Sequence, residues 1–276
     1  MKENPNHQNP KKQNLKSKVV PLSETPALVA PDATLALGGM TLYRRPVAFV
    51  RELLNYAHTS QHSYALTLLA FTASYESDLL VGAGLIKRVR SCYFGLEAFG
   101  LAPRFTQAAN LNQIEIVEET EASLGFGLRA ALANVGFMPG RGWLGTDLPA
   151  LRPDVKTVVD PYSGETLIAF PAIPVDVALI HALKADQAGN ALIGGNPGVD
   201  VELAMLATTT LVTAEEIVEK LDKADIPAPA VQYIAHAPRG AWPTSCHPLY
   251  PLAGGEILKY IEACNGERFD EYWRNL

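Results

Sequence analysis

The apolar positions of the chain form short runs and helical stripes in turn, which predicts strands that alternate with helices. The run at 34–37 has the composition of a strand and ends at Gly38 and Gly39. Behind Pro46, which suits the first turn of a helix, apolar residues recur at helical spacing from 47 to 54. A strand, a glycine turn and a helix are therefore predicted in succession.

The same two patterns continue along the chain. They predict further strands at 65–71, 89–94, 114–117, 167–170, 177–180 and 209–212, a short helical or turn segment at 78–85, and helices at 121–135 and 214–223. The last of these helices would carry Glu215 and Glu216 in its first turn. Alternation with short connections predicts an α/β fold, an open and mostly parallel sheet with flanking helices, and ligands of such sheets gather at the carboxyl ends of the strands. The segment from Pro227 is expected to wrap over the sheet rather than extend it.

Composition and charge narrow the class of protein. The 276 residues are 48% hydrophobic and 19% charged, which is enough apolar material for a large core. Residues 1–18 hold five lysines and one glutamate, and we expect a disordered basic tail there and one domain at 19–276. Taking that tail's +4 from the formal net charge of −6 leaves −10 on the remainder, which argues against a nucleic-acid partner.

Other features argue against membranes, disulfides and metals. The most apolar stretch is interrupted by Asp176 and two prolines, so no membrane span is predicted. Three cysteines without CxxC spacing indicate neither a disulfide framework nor a zinc site, which fits a cytoplasmic protein. The histidines lack metal-binding spacing, so no metal site is expected. His181 and Cys92 lie in apolar runs and are expected to pack in the core.

Two short segments carry candidate chemistry. At Gly38 and Gly39 backbone N–H groups can approach an oxyanion or a phosphate closely, although a plain tight turn explains the glycines equally well. Arg44 and Arg45 follow; they either pair with a carboxylate or phosphate of a ligand or are simply solvated at the surface.

An acidic cluster marks the second candidate segment, Glu115, Glu118, Glu119 and Glu121. If Thr120 caps the helix that follows, Glu121 stands in the first turn, where the helix dipole stabilises its ionised form. A catalytic carboxylate and an ordinary stabilising acid both fit this position.

Several motifs together resemble the A (alpha) subunit of the family I CoA-transferases, the group that contains the glutaconate and 3-oxoacid enzymes. They are PDATLALGGM followed by TLYRRP, then LLVGAGLIKRVR, GLRAALANVGFMPGRGWLGTDLP, DPYSGE, FPAIPVDVALIHALKADQAGNA and TLVTAEEIVE. Met40 stands where the family motif has Phe, and Arg44 where it often has Gly. The resemblance implies the CoA-transferase fold, a B subunit that supplies a covalent glutamate, and a coenzyme A thioester and a carboxylic acid as substrates, with no permanently bound cofactor. It makes Gly38, Gly39, Met40, Arg44 and Arg45 the expected substrate-binding residues.

The chain is also similar to CoA-thioester hydrolases that open the last steroid rings, through GGMTLYRRPVAFVRELL and EETEASLGFGL. That resemblance implies that Glu121 is catalytic, as a general base for water or as a nucleophile, provided that a buried neighbourhood tunes its pKa. Backbone N–H groups near Gly38 and Gly39 would then stabilise the oxyanion. A non-catalytic subunit that only binds acyl-CoA is the third interpretation.

Overall fold

The computed structural model describes residues 17–266 and 268–276. The predicted basic tail therefore lies outside the described residues, apart from its last two. Of these, Lys18 is tied to the fold, because its Nζ donates hydrogen bonds to the carbonyl oxygens of Ala228 and Val231 at 2.6 Å each.

Eleven strands are present among the described residues: β1 Thr34–Leu37, β2 Leu66–Ala73, β3 Ile86–Phe94, β4 Glu115–Glu118, β5 Phe137–Gly140, β6 Lys156–Val159, β7 Thr166–Pro171, β8 Val177–Asp186, β9 Ala191–Leu192, β10 Thr209–Val218 and β11 Tyr233–His236. Eight of them form one sheet in the order β11-β10-β8-β1-β2-β3-β4, with β9 antiparallel on β8 and every other pair parallel. The predicted α/β class with an open, mostly parallel sheet is confirmed.

In the described part of the chain, eight α-helices accompany these strands: α1 Val47–Ser60, α2 Tyr75–Gly82, α3 Pro103–Asn110, α4 Glu121–Leu132, α5 Leu148–Leu151, α6 Asp200–Leu206, α7 Gly254–Asn265 and α8 Phe269–Arg274. Successive side chains of β1 point to opposite faces of the sheet. Leu35 and Leu37 join the core beneath α1, α2, α7 and α8, whereas Ala36 joins the core beneath α4 and α6. The central strand is thus covered on both faces.

A second, smaller sheet was not expected from the sequence. Strands β5, β7 and β6 pair antiparallel in that order, next to α4. Their core is built from Trp143, Val155, Ile168 and Phe170. Trp143 lies in the segment GRGWLG at 140–145 and is completely buried, so this glycine-containing segment packs against the small sheet.

Two element predictions are wrong. Residues 214–218 continue β10 instead of starting a helix, because Ala214 to Val218 pair in register with Ala182 to Asp186 of β8. Glu215 and Glu216 consequently point to opposite faces rather than sharing a helical turn. The segment from Pro227 does extend the sheet, through β11 at its edge, and only the residues after β11 wrap around it.

Candidate functional site

The candidate residues lie at the carboxyl ends of the strands of the main sheet, referred to below as its carboxyl edge. Leu37, Ala70, Ser91 and Glu118 form a single row across β1, β2, β3 and β4. β1 and β4 end at this row, whereas β2 and β3 continue for three more residues. The glycine turn and the loop before α4 therefore both leave the sheet at the carboxyl ends of their strands, as predicted. Three strand spacings of about 4.8 Å place the glycine turn roughly 14 Å from the start of the loop that leads into α4.

The glycine turn is closed by hydrogen bonds within the chain. The N–H of Gly38 donates to the carbonyl oxygen of Leu179 at 2.9 Å, and the N–H of Gly39 donates to the Asp200 carboxylate at 2.9 and 3.2 Å. Both donors are thus already in use. A role of the N–H groups near Gly38 and Gly39 in stabilising an oxyanion stays a prediction, and for these two donors it would require the present hydrogen bonds to open.

Arg44 lies behind the turn and is completely buried. Its guanidinium pairs with Asp200 at 2.7 Å and donates to the carbonyl oxygens of His181 at 2.8 Å and Asn196 at 3.0 Å. The alternative that this arginine is solvated is wrong. A direct contact with substrate remains a prediction, and it would require the ion pair to open.

Arg45 is equally buried and points to a different acid. Its Nη2 lies 2.5 Å from Glu76 Oε1, and its Nη1 donates to the carbonyl oxygen of Gly39 at 2.9 Å. Glu76 in turn accepts a hydrogen bond from Ser77 Oγ at 2.6 Å. The solvated alternative is wrong here as well, and substrate contact by Arg45 also remains a prediction.

Met40 completes the turn and is half-buried, so part of its side chain faces outward. Its N–H and carbonyl oxygen both pair with Tyr43, while Thr72 Oγ1 lies 3.8 Å from its sulfur. A flexible thioether at the carboxyl edge is suited to line an apolar pocket.

The start of α4 matches the predicted cap. Thr120 Oγ1 accepts the N–H of Ser123 at 3.2 Å, and Ser123 Oγ accepts the N–H of Thr120 at 2.8 Å, which forms a reciprocal capping box. The indole N–H of Trp143 also donates to Thr120 Oγ1, at 2.9 Å. The small sheet thereby helps to set where α4 begins.

Glu119, one residue before the cap, is the buried acid of the cluster, with its side chain only 1% exposed. It forms ion pairs with Arg90 and, at 3.1 Å, with Arg152, and it accepts a hydrogen bond from Ser123 Oγ at 2.5 Å. A carboxylate satisfied on this many sides is a structural anchor. It joins β3 and β4 to the segment that follows α5.

Glu121, the predicted catalytic residue, is the first residue of α4 and is exposed. It lies close enough to Cys92 on β3 to affect that thiol: burial, together with the negative charges of Glu121 and Glu119, raises the pKa of Cys92 to about 11. The described residues of this chain do not bury Glu121. Its catalytic role stays a prediction.

A second buried network lies behind the glycine turn, on β8 and β10. His181 Nδ1 is 2.9 Å from Thr213 Oγ1, and its Nε2 is 2.9 Å from Glu215 Oε1. Glu215 also accepts the Tyr250 hydroxyl and, at 2.5 Å, the N–H of Arg239. The expectation of a buried, hydrogen-bonded His181 is confirmed, and Glu215 fastens the C-terminal segment to the sheet.

The same network brings together atoms that can ligate a metal. Ligand atoms of His181, Glu215 and Cys246 lie within 4.8 Å of one another, one such group in the part of the chain that the structure describes. Burial raises the pKa of the Cys246 thiol to about 12, which opposes the thiolate that a metal prefers. Both ring nitrogens of His181 and both carboxylate oxygens of Glu215 already have protein partners. We assign no metal to this group.

Titration in this network follows from burial and hydrogen bonding. Burial lowers the pKa of His181, against the opposing effect of Glu215. Burial raises the pKa of Glu215, but hydrogen bonds from His181 and Tyr250 outweigh it, so its pKa is lowered overall. The pair is therefore held as a neutral imidazole beside a carboxylate.

Sequence reasoning missed the acids that hold the turn, Asp200 and Glu76. A usable signal existed for each of them. Asp200 follows the glycine-rich segment 194–198 at the start of α6, and Glu76 lies three residues past the carboxyl end of β2. Acids at such positions are candidates for the sheet edge, but their arginine partners are not visible in the sequence.

The fold and this edge define the class of protein. The family model for Coenzyme A transferase matches residues 22–237, so the chain belongs to the coenzyme A transferase family. The family predicted from the motifs is confirmed.

Two curated relatives with different activities are similar to this chain. It is 33% identical over 224 residues to the A subunit of the 3-oxoadipate CoA-transferase of Pseudomonas knackmussii, which covers 79% of this chain and 77% of the relative. It is 32% identical over 264 residues to the cholesterol ring-cleaving hydrolase IpdA subunit of Mycobacterium tuberculosis, with 88% and 87% covered.

Two solved structures have the same fold. Glutaconate coenzyme A-transferase from Acidaminococcus fermentans superposes with a TM-score of 0.84 at 28% identity, over 94% of this chain and 88% of that one. The decarboxylase AibA/AibB superposes with a TM-score of 0.86 at 30% identity, over 94% and 98%. One architecture thus carries several reactions. Among the residues described here, no helix is both long and apolar enough to cross a bilayer.

Proposed function

We propose that this chain is the A subunit of a heteromeric CoA-transferase that moves coenzyme A between carboxylic acids. The observation that carries the proposal is which polar groups at the carboxyl ends of the strands are hydrogen-bonded within the chain and which are exposed. Its inner groups are consumed within the chain, at Gly38, Gly39 and Glu119, while its one candidate catalytic carboxylate, Glu121, is exposed. Such an edge is half of a pocket, and a B subunit supplies the other half and the covalent glutamate.

The proposed reaction uses a carboxylate as a covalent catalyst. The B-subunit glutamate attacks the thioester carbonyl, coenzyme A leaves as the thiolate, and an acyl anhydride forms. The thiolate then attacks the glutamyl carbonyl, which releases the first acid and leaves a glutamyl thioester. A second acid reverses these steps. No permanently bound cofactor is needed, and we place the reaction in the cytoplasm.

In this scheme the A subunit shapes the acyl pocket and orients the substrate. Gly38, Gly39 and Met40 form a wall of the acyl pocket, with the outward part of the Met40 side chain as its apolar surface. Arg44 and Arg45 contribute through the turn that they hold.

A second candidate function is hydrolysis of a CoA thioester with Glu121 as the general base. It is favoured by the place of Glu121 at a strand-to-helix junction and by the similarity to the ring-cleaving hydrolase. A covering B subunit would have to provide the burial that this chain does not. A subunit that only binds acyl-CoA is the remaining alternative.

The exchange Glu121→Gln separates these functions. With the B subunit present, we expect the variant to keep its transferase activity within about threefold, whereas loss of a general base costs about 10²- to 10⁴-fold. Glu118→Gln, an exposed acid three residues earlier, is the matched control. A collapse of activity in Glu121→Gln alone would support the hydrolase.

Covalent trapping tests the transferase directly. The A and B pair is incubated with acyl-CoA, reduced with borohydride and analysed by mass spectrometry. A label on B supports transfer through a glutamyl thioester. Release of free coenzyme A without any label supports hydrolysis, and binding of acyl-CoA with neither result supports the binding subunit.

A further inference from the structure

Gly39 is held from both sides by two separate buried ion pairs. Its N–H donates to Asp200, the acid of the first pair, and its carbonyl oxygen accepts from Arg45, the base of the second. The first pair is Arg44 with Asp200, and the second is Arg45 with Glu76. All four side chains are at most 1% exposed.

We propose that these two ion pairs are a positioning device that fixes the Gly38–Met40 turn at the edge of the substrate pocket. The two ion pairs are together called the brace. The inference rests on the proposed function for the role of the pocket, but the geometry of the brace does not depend on that function. The four side chains act through the turn, without touching substrate.

Steric fit supports the proposal. A Cβ on Gly38 would lie 2.7 Å from Asp200 Oδ1, and a Cβ on Gly39 would lie 2.7 Å from the carbonyl oxygen of Arg44. Gly39 and Arg44 also both have left-handed backbone, with φ of +86° and +55°. The Asp200 carboxylate and the backbone of Arg44 can therefore lie this close to the turn only because residues 38 and 39 have no side chain.

Energetics points the same way. Burying two ion pairs removes four charges from water, and apolar residues of similar volume often give an equally stable fold. These pairs are also incompletely satisfied, since Arg44 Nε, Arg45 Nε and Glu76 Oε2 have no hydrogen-bond partner among the described residues. These charges are poorly optimised for stability, yet they bind both the N–H and the carbonyl oxygen of Gly39. We therefore explain them by the backbone geometry that they impose.

The brace also joins three distant parts of the chain. Arg44 reaches β8 through the His181 carbonyl and the loop before α6 through Asn196, while Glu76 stands at the start of α2. The position of the turn thus depends on β8 and on the segment after β2, the two strands that flank β1. Movement of any of these elements would shift the wall of the pocket.

Hydrogen exchange tests the brace without the B subunit. Single changes would leave an unpaired buried charge, so each pair is replaced whole, by Arg44→Met with Asp200→Val and by Arg45→Met with Glu76→Leu. We expect both variants to unfold cooperatively, with exchange of the amides at 38–45 accelerated about tenfold or more and protection of β2 and β8 unchanged. The matched control is Arg88→Met with Glu115→Leu, which removes an exposed pair near the amino ends of β3 and β4.

Steady-state kinetics with the B subunit gives the second readout. A displaced pocket wall should lower kcat by about 10- to 100-fold and change KM for the CoA thioester by less than about threefold. The control variant should match the wild type in both parameters.

Each result decides. Unchanged exchange at 38–45 would overturn the brace, and a raised KM with unchanged kcat would show that the arginines contact the ligand instead. Failure of both pair variants to fold would make the pairs part of the general scaffold and would also overturn the proposal. A wild type that shows no CoA chemistry with its B subunit would remove the proposed function, while the exchange result would still stand or fall alone.

Discussion

Gly39 meets two independent requirements for a residue without a side chain. Its φ of +86° lies in the left-handed region, and the space where a Cβ would point is occupied by backbone oxygens of Tyr43 and Arg44, both at 2.7 Å. Backbone cannot retreat as a flexible side chain can. Any substitution at this position must therefore displace the turn itself.

The chain offers a control that separates the two requirements. Gly84 has a similar φ of +75° but nothing within 4 Å of its Cβ position. We expect Gly84→Ala to cost about 1 kcal/mol from backbone conformation alone, and Gly39→Ala to cost about 3 kcal/mol or more. Urea denaturation measures both, and equal losses would mean that the contact with Tyr43 and Arg44 is unimportant.

Among the helices, α4 is the one whose start decides where the candidate carboxylate lies. Its capping box and the indole of Trp143 converge on Thr120, directly before Glu121. Local hydrogen bonds set the first residue of the helix, and the small sheet anchors them from outside. At Gly127 a Cβ would lie 2.5 Å from Ile173 Cδ1 and 2.9 Å from the Pro171 carbonyl oxygen, so glycine allows the helix to pack close to that sheet.

Thr120→Ala should therefore destabilise the protein by about 1 kcal/mol, because the N–H of Ser123 and the indole N–H of Trp143 lose their acceptor. Thr120→Ser keeps the oxygen and should stay within a few tenths of a kcal/mol of the wild type. Thermal unfolding followed by circular dichroism provides the measurement. Equal destabilisation by alanine and serine would contradict the cap and point to the lost methyl group.

For the molecule as a whole, Asp78 is a long-range tie. It lies in α2, accepts the Tyr260 hydroxyl of α7 at 2.6 Å, and accepts the N–H groups of Arg104 and Phe105 at 3.2 and 2.6 Å, which caps α3. Burial raises the pKa of Asp78 to about 6 although all of these donors lower it. One carboxyl thus joins three helices at a cost in desolvation.

This cost makes stability depend on pH. Between the ordinary pKa of 3.8 and about 6 the native state binds more protons at Asp78 than the unfolded state does, so the free energy of unfolding should fall as the pH rises through that range. The full difference corresponds to about 3 kcal/mol. In urea denaturation at pH 4, 5 and 6, the free energy of unfolding of the wild type should fall relative to that of Asp78→Asn, because both proteins share the opposite pH effects of His181 and Glu215. Parallel profiles would rule out Asp78 as the source.

The sequence by itself determined the parts of this protein that depend on neighbouring residues. The bounds of β1, the start of α1 behind Pro46, the Thr120 cap and the family motifs depend on period, turn chemistry and local hydrogen bonds. The mostly parallel sheet followed, because its strands read as apolar runs separated by helices.

Only the tertiary structure decided which charged side chains form ion pairs and which segments pair as strands. Residues 214–218 have the composition of a helix start, but the register with β8 makes them strand, since pairing and burial outweigh propensity. Arg44 and Arg45 look like surface residues in the sequence, but in the structure Asp200 pairs with Arg44 and Glu76 pairs with Arg45. Ion-pair partners so far apart leave no periodic trace in the sequence, because their meeting depends on the strand order of the whole sheet.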